Sequence, residues 1–168
     1  KMMTGESAQR AALGAGAIVV EVLSCDDKKP AHEKIERIRE LRPDMILLSG
    51  GTDNGSTHHV IEMAEYIAST DPKPRLGASY TLPVLYAGNR AAISDIKEIL
   101  GNKVSLKIVD NIRPSMEREN LSPARLAIQE MFLEHVMVHA PGYKKLMEMS
   151  DAPIVPTPSA MGIMMQTI

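Results

Sequence analysis

The stretch that decides the fold is Met45-Ile46-Leu47-Leu48-Ser49-Gly50-Gly51-Thr52-Asp53-Asn54-Gly55. A short apolar run that ends in a polar turn is typical of a strand buried on both faces of a sheet. After the turn, Ser56 or Thr57 can cap a helix whose apolar residues keep helical spacing to about Ser69. The stretch therefore predicts a strand, a glycine-rich loop (residues 50–55) and a helix.

The same alternation continues on both sides of this stretch. Three more apolar runs predict strands, at residues 18–23, 83–87 and 104–109. A helix is predicted before the first run, at residues 4–13, with Thr4 as its cap and Gly14 and Gly16 at its end. Amphipathic helices are predicted between the runs, from Pro30 to about Leu41 and at residues 91–100. Strands that alternate with helices indicate a parallel sheet covered on both faces. We therefore predict an α/β fold with a mostly parallel sheet of at least four strands and helices on both faces.

The remainder of the chain departs from this alternation. Residues 71–82 contain two prolines and a glycine, which predict an exposed loop. After Pro114 the pattern turns helical, with one stripe from Ser122 to about Val138 and a last helical piece from about Ser159. We predict that residues 1–113 form the α/β domain and that residues 114–168 form a helical extension of it. Both ends look cut, so we expect a fragment of a longer protein.

Composition narrows the class of protein. Lys and Arg total 19 against 21 Asp and Glu, with no basic stripe, which argues against nucleic-acid binding. No apolar run is long enough to span a membrane. Cys25 is the single cysteine, so an intrachain disulfide is excluded. A lone thiol without a secretion signal predicts a cytoplasmic protein.

The candidate binding site lies at the carboxyl ends of the predicted strands, where open parallel sheets bind ligands. The candidate ligand-binding residues are Gly50, Gly51, Thr52, Asp53, Asn54, Gly55, Gly88, Asn89, Asp110 and Asn111. Glycines allow close approach of backbone to a ligand, and Asp53 could hold a hydroxyl or a magnesium-bound water. The alternative is a tight turn in which Asp53 and Asn54 bond to their own backbone. As an exposed carboxylate, Asp53 is expected to contribute little to stability.

The loop fits neither the Walker pattern nor G-x-G-x-x-G. The spacing of the other reactive or metal-binding side chains does not by itself indicate a site. His58 and His59 begin a helix, and His135 and His139 have metal-ligand spacing without an evident third ligand. Cys25 has no assignable base. We expect no metal site, and no catalytic residue can be assigned.

Five segments carry a resemblance to a known family. They are A-A-L-G-A-G-A at residues 11–17, L-L-S-G-G-T-D-N-G at 47–55, V-L-Y-A-G-N-R at 84–90, D-N-I-R-P at 110–114 and L-S-P-A-R at 121–125. In this order they resemble the MutL-type accessory proteins of adenosylcobalamin-dependent amino-acid mutases, such as glutamate (methylaspartate) mutase. This family is unrelated to the mismatch-repair protein of the same name. Asn54 stands where the family usually has glycine.

The resemblance implies a chaperone-like or reactivating partner of mutase subunits. Full-length members resemble actin- and Hsp70-type ATPases, which use ATP and magnesium, but their D-x-G phosphate motifs are not found here. We therefore expect no cofactor and no ATPase activity in this fragment. The methionine-rich residues 147–165 are expected to pack against the rest of the protein or a second copy.

Two alternatives stay open from the residues alone. One is a module that binds an amino acid or phosphate at the strand ends. The other is a small cytoplasmic enzyme that uses the glycine-rich loop, with Asp53 and Cys25.

Overall fold

A sheet of three parallel strands lies at the centre of the computed structural model, which describes residues 2–73 and 81–150. The strands are β1 (Ile46–Leu48), β2 (Pro83–Tyr86) and β3 (Ser105–Ile108), in the order β1-β2-β3. Leu85 pairs with Leu47 on one side and with Lys107 on the other. The central strand β2 is wholly buried, as its uninterrupted apolar sequence predicts.

The described residues form six α-helices. They are α1 (Met2–Gly14), α2 (Ala31–Leu41), α3 (His58–Ser69), α4 (Ile93–Leu100), α5 (Ser122–Met131) and α6 (Tyr143–Glu148). A 3₁₀ turn, Arg90–Ala92, leads into α4, and α5 continues into a π-helical turn, Phe132–Val136, and a second 3₁₀ turn, Met137–His139. In these residues, no helix combines the length and the apolar character needed to cross a lipid bilayer.

Helices cover both faces of the sheet, and successive residues of β2 point to opposite layers. Val84 and Tyr86 belong to the core shared with α2, α3 and α4, whereas Leu85 and Ala87 belong to the core shared with α1 and α5. This is the two-residue period of a strand. The predicted α/β class, with a parallel sheet between helical layers, is confirmed.

The predicted strand at residues 18–23 is wrong, and with it the prediction of at least four strands. The structure has no strand there, and the sheet in the described residues has three. Ile18, Val20 and Val22 are exposed, with Ile18 at 90% of its maximum, whereas Leu23 packs against the core. The run has strand-like composition, but composition alone does not supply a neighbouring strand with which to pair.

The predicted exposed loop at residues 71–82 is wrong at its end, because Leu82 is fully buried. Residues 74–80 lie outside the described part.

The predicted helical extension at residues 114–168 is not confirmed. Helix α5 packs against α1 in the core of the domain, and the predicted stripe to Val138 leaves α-helical geometry after Met131. The predicted helix from Ser159, and most of the methionine-rich segment, lie outside the described residues.

Candidate functional site

Three loops meet at the carboxyl edge of the sheet, one after each strand. The backbone joins them directly: Asn89 N–H donates to the Gly50 carbonyl at 2.9 Å, and Ile112 N–H donates to the Ala87 carbonyl at 3.1 Å. The structure therefore brings together the glycine-rich loop, Gly88-Asn89 and Asp110-Asn111. We call this assembly of residues 50–55, 88–90 and 110–114 the carboxyl-edge cluster.

Asn89 holds the glycine-rich loop to the end of β2. Its side chain is completely buried. The amide Nδ2 donates to the Gly55 carbonyl at 2.9 Å, and Oδ1 accepts from Ala91 N–H at 2.9 Å, which caps the 3₁₀ turn. A buried amide with partners on both of its polar atoms fixes the loop and the turn relative to each other.

Asn111 does the same between the glycine-rich loop and the end of β3. It is 5% exposed, and its Nδ2 lies 2.9 Å from the Gly51 carbonyl and 3.0 Å from Asp53 Oδ1. Its Oδ1 accepts from Arg113 N–H at 3.0 Å. Both asparagines thus point into the protein and bond to its own backbone.

Asp53 is the point at which all three loops meet. Its Oδ1 accepts from Asn111 and from Arg90 N–H at 3.1 Å, while its own N–H donates to the Pro114 carbonyl at 3.1 Å. Beneath it, the Tyr86 hydroxyl donates to the Asn89 carbonyl at 2.7 Å. Burial, together with the Asp53 carboxylate, raises the pKa of Tyr86 far above its ordinary value, so the phenol stays neutral.

Two glycines allow these loops to approach so closely. Gly51 has φ +71°, and a Cβ atom there would lie 2.7 Å from the Ser56 carbonyl oxygen. A Cβ atom on Gly88 would lie 2.9 Å from both the nitrogen and the oxygen of Gly50. A side chain at either position would therefore collide with the neighbouring backbone.

The rim of the carboxyl-edge cluster is exposed to solvent, whereas its interior is buried. Asn54, Gly55, Arg90 and Asp110 are exposed, and Thr52 and Asp53 are half-buried. The structure thus divides the predicted ligand-binding residues into a buried, mutually bonded set and an exposed set. Ligand binding at either set stays a prediction.

A second polar network anchors the loop after β3 to α1. Arg113 is 8% exposed and donates through Nη1 to Ser7 Oγ at 2.9 Å and to Glu119 Oε1 at 3.2 Å. The Ser7 hydroxyl and the Arg10 guanidinium lower the pKa of Glu119. No local spacing predicts this network, because Ser7 and Glu119 lie 112 positions apart.

Three potential metal ligands meet beside the start of α3. One ligand atom each from Cys25, His59 and Glu62 lies within 4.8 Å of the other two. The Cys25 thiol donates to the His59 carbonyl at 3.1 Å, and burial raises its pKa to about 11. In the sequence, Cys25 and His59 are separate candidates, because no local spacing joins residues 34 positions apart.

Comparison with known proteins identifies the family of this chain. The family model described as "MutL protein" matches residues 1–168. The chain belongs to the MutL protein family. Protein MutL of Clostridium tetanomorphum is 33% identical over 159 residues, which cover 94% of this chain and 32% of the relative. This chain therefore spans about a third of that relative's length, and no solved structure matches it.

The family predicted from the sequence motifs is confirmed. Three of those motifs, at residues 47–55, 84–90 and 110–114, supply the last residues of β1 and β2 and the three loops of the carboxyl-edge cluster. The segments that signalled the family are thus largely the segments that hold this edge together.

Proposed function

We propose that this chain is part of a chaperone-like or reactivating accessory protein that binds the subunits of an adenosylcobalamin-dependent mutase of the glutamate mutase type. The observation that carries the proposal is the match to the MutL family along the whole chain. The proposal includes a cytoplasmic location and a longer protein that uses ATP and magnesium.

The carboxyl-edge cluster supports a scaffolding role for this chain more than a catalytic one. Asp53 accepts two hydrogen bonds from the protein, and Asn89 and Asn111 are buried and bonded to backbone. A general base must reach a proton of the substrate, whereas Asp53 Oδ1 and both amides are hydrogen-bonded within their own chain. The arrangement gives no support to the alternative of a small enzyme that uses the glycine-rich loop.

The exposed rim is the part of the cluster that a partner can reach. Arg90 and Asp110 provide a cation and a carboxylate, and Asn54 provides an amide. A guanidinium can grip a carboxylate or phosphate through two parallel hydrogen bonds. Because the buried set fixes the backbone beneath these side chains, the rim would present them to a mutase subunit in a defined arrangement.

Binding to mutase subunits tests this proposal. With the full-length protein, Arg90→Ala and Asn54→Ala are expected to weaken binding of purified mutase subunits about tenfold or more, equivalent to about 1.4 kcal/mol. Their melting temperatures should stay unchanged, because both side chains are exposed. Lys97→Ala, at an exposed position on α4, is the matched control and should bind normally. Failure of the unmodified protein to bind any such mutase would contradict the accessory role.

Two measurements, phosphate release and small-molecule binding, distinguish the accessory role from the enzyme and from the small-molecule module. The chain of 168 residues should release no phosphate from ATP above the blank, whereas the full-length protein should do so in the presence of its mutase. Turnover by the isolated chain that disappears in Asp53→Ala would favour the enzyme alternative instead. Saturable binding of inorganic phosphate or an amino acid, lost in Arg90→Ala, would favour the small-molecule module.

A further inference from the structure

Cys25, His59 and Glu62 combine three different ligand chemistries in one small space. Their potential ligand atoms all lie within 4.8 Å of one another, and all three residues are half-buried. Cys25 comes from the loop before α2, whereas His59 and Glu62 lie one turn apart at the start of α3. We propose that these three side chains form a binding site for a zinc-like divalent transition metal.

The geometry needs only a modest change to hold such an ion. In a tetrahedral zinc site with Zn–S near 2.3 Å and Zn–N and Zn–O near 2.0–2.2 Å, neighbouring ligand atoms lie about 3.3–3.6 Å apart. The His59 Nδ1 atom lies 3.9 Å from Glu62 Oε2, close to this separation. Rotation of half-buried side chains can supply the remaining approach of up to about 1.5 Å between the other ligand atoms.

The surroundings would orient the ligands. Tyr66 lies one turn after Glu62 on α3, and its hydroxyl donates to Glu62 Oε1. This hydrogen bond restrains the Glu62 carboxylate through Oε1, while Oε2 is the carboxylate oxygen that lies beside His59 Nδ1. Outer-shell partners of this kind fix the rotamers of metal ligands.

The ligand set decides which class of metal fits. One thiolate, one imidazole and one carboxylate suit zinc and its transition-metal neighbours, whereas magnesium and calcium require mainly oxygen ligands. Three protein ligands leave a fourth tetrahedral position for water or for a group from a partner. Metal binding would also tie the loop at Cys25 to α3.

Cobalt titration tests the site directly, because cobalt(II) bound to a thiolate gives a charge-transfer band in the near ultraviolet. Untagged, metal-free protein should develop this band until one cobalt ion is bound per chain. Zinc should remove the band, since zinc binds such sites more tightly than cobalt. Magnesium should not. No charge-transfer band on addition of cobalt would overturn the proposal.

Variants of the three residues distinguish a site with three protein ligands from metal binding by the Cys25 thiol without the other two. Cys25→Ser should abolish the band, and His59→Gln and Glu62→Gln should each weaken cobalt affinity tenfold or more, on the order expected for a disrupted metal site. His58→Gln is the matched control, because His58 is the exposed neighbour outside the trio, and it should behave like the unmodified protein. Unchanged affinity in both His59→Gln and Glu62→Gln would overturn the three-ligand site.

Thermal melting provides a second measurement that does not depend on the thiol spectrum. Zinc should raise the melting temperature of the unmodified protein and of His58→Gln, since a ligand that binds the folded state stabilises it. The increase should be lost in His59→Gln, which decides the question even if Cys25→Ser does not fold. An equal increase in His59→Gln would show that zinc binds elsewhere, for example at His135 and His139, and would contradict the proposal.

Discussion

The carboxyl-edge cluster and the segment at residues 18–23 show opposite relations between polarity and burial. The cluster consists mainly of polar residues and glycines, yet its Asn89 and Asn111 side chains are buried. The segment is almost entirely apolar, yet Ile18 and Val20 are 90% and 69% exposed.

This contrast shows that the burial of a segment depends on the partners that it finds within the chain. Each strand end delivers its loop to the same edge, so the amides of Asn89 and Asn111 meet carbonyls at 2.9 Å. The segment at residues 18–23 is joined to the sheet by no ladder in the described structure. Substitutions of the cluster residues that bond to one another should therefore have large effects on stability, and substitutions of the exposed residues of the segment small ones.

The largest effect is expected for Gly51→Ala. This change places a Cβ atom 2.7 Å from the Ser56 carbonyl at a residue with φ +71°. Conformational strain of about 1–2 kcal/mol adds to the cost of overpacking, for a total of about 2–5 kcal/mol. Urea unfolding measures the difference.

Gly142→Ala is the matched control for this substitution. Gly142 also has positive φ, at +84°, but a Cβ atom added there would have nothing within 4 Å of it. Gly142→Ala should therefore reduce the free energy of unfolding only by the conformational strain, about 1–2 kcal/mol. Equal losses at the two glycines would show that the cluster is not tightly packed.

The next largest effect is expected for Asn111→Ala. The substitution leaves the Gly51 carbonyl and Arg113 N–H without their side-chain partner, at a cost of about 1–3 kcal/mol. Asn102→Ala, at an exposed position after α4, should change stability by less than about 0.5 kcal/mol. Differential scanning calorimetry compares the two variants, and similar melting temperatures would argue against a supporting role for Asn111.

Asp53→Ala should destabilise the domain by a smaller amount, about 1–2 kcal/mol, because Oδ1 accepts from Arg90 N–H and from Asn111. This reverses the expectation from sequence that Asp53 contributes little to stability. Asp53→Asn keeps an acceptor oxygen and should recover part of the loss, and Asn54→Ala, at the exposed neighbour, should have almost no effect. Chemical denaturation of the three variants tests this order.

The smallest effect is expected in the apolar segment. Ile18→Ser and Val20→Ser should each change the unfolding free energy by less than about 0.5 kcal/mol, since both side chains are already exposed. Leu23→Ser is the control within the same segment, because Leu23 packs against the core and its loss should cost clearly more. A large loss at Ile18 or Val20, measured by urea unfolding, would mean that the segment is covered in solution.

The α/β class, the family and the position of most elements could be predicted from local patterns in the sequence. Pro30 and the stripe after it predicted a helix from Pro30 to about Leu41, and the structure has α2 at Ala31–Leu41, with Pro30 at the N-cap. The apolar runs that became β1, β2 and β3 were found to within one residue at each end. These features are local: periodicity, proline and glycine record how each segment is buried and where it turns.

The tertiary structure alone decided which segments and side chains became partners. Residues 18–23 have the composition of a strand, but pairing depends on a neighbour that no local pattern specifies. In the sequence, Asp53 has no assigned partner, and only the structure shows that its Oδ1 accepts from Arg90 N–H and from Asn111. Cys25 met His59 only because the loop before α2 folds against the start of α3. Such contacts join residues tens of positions apart, so their chemistry depends on how the layers pack and not on sequence spacing.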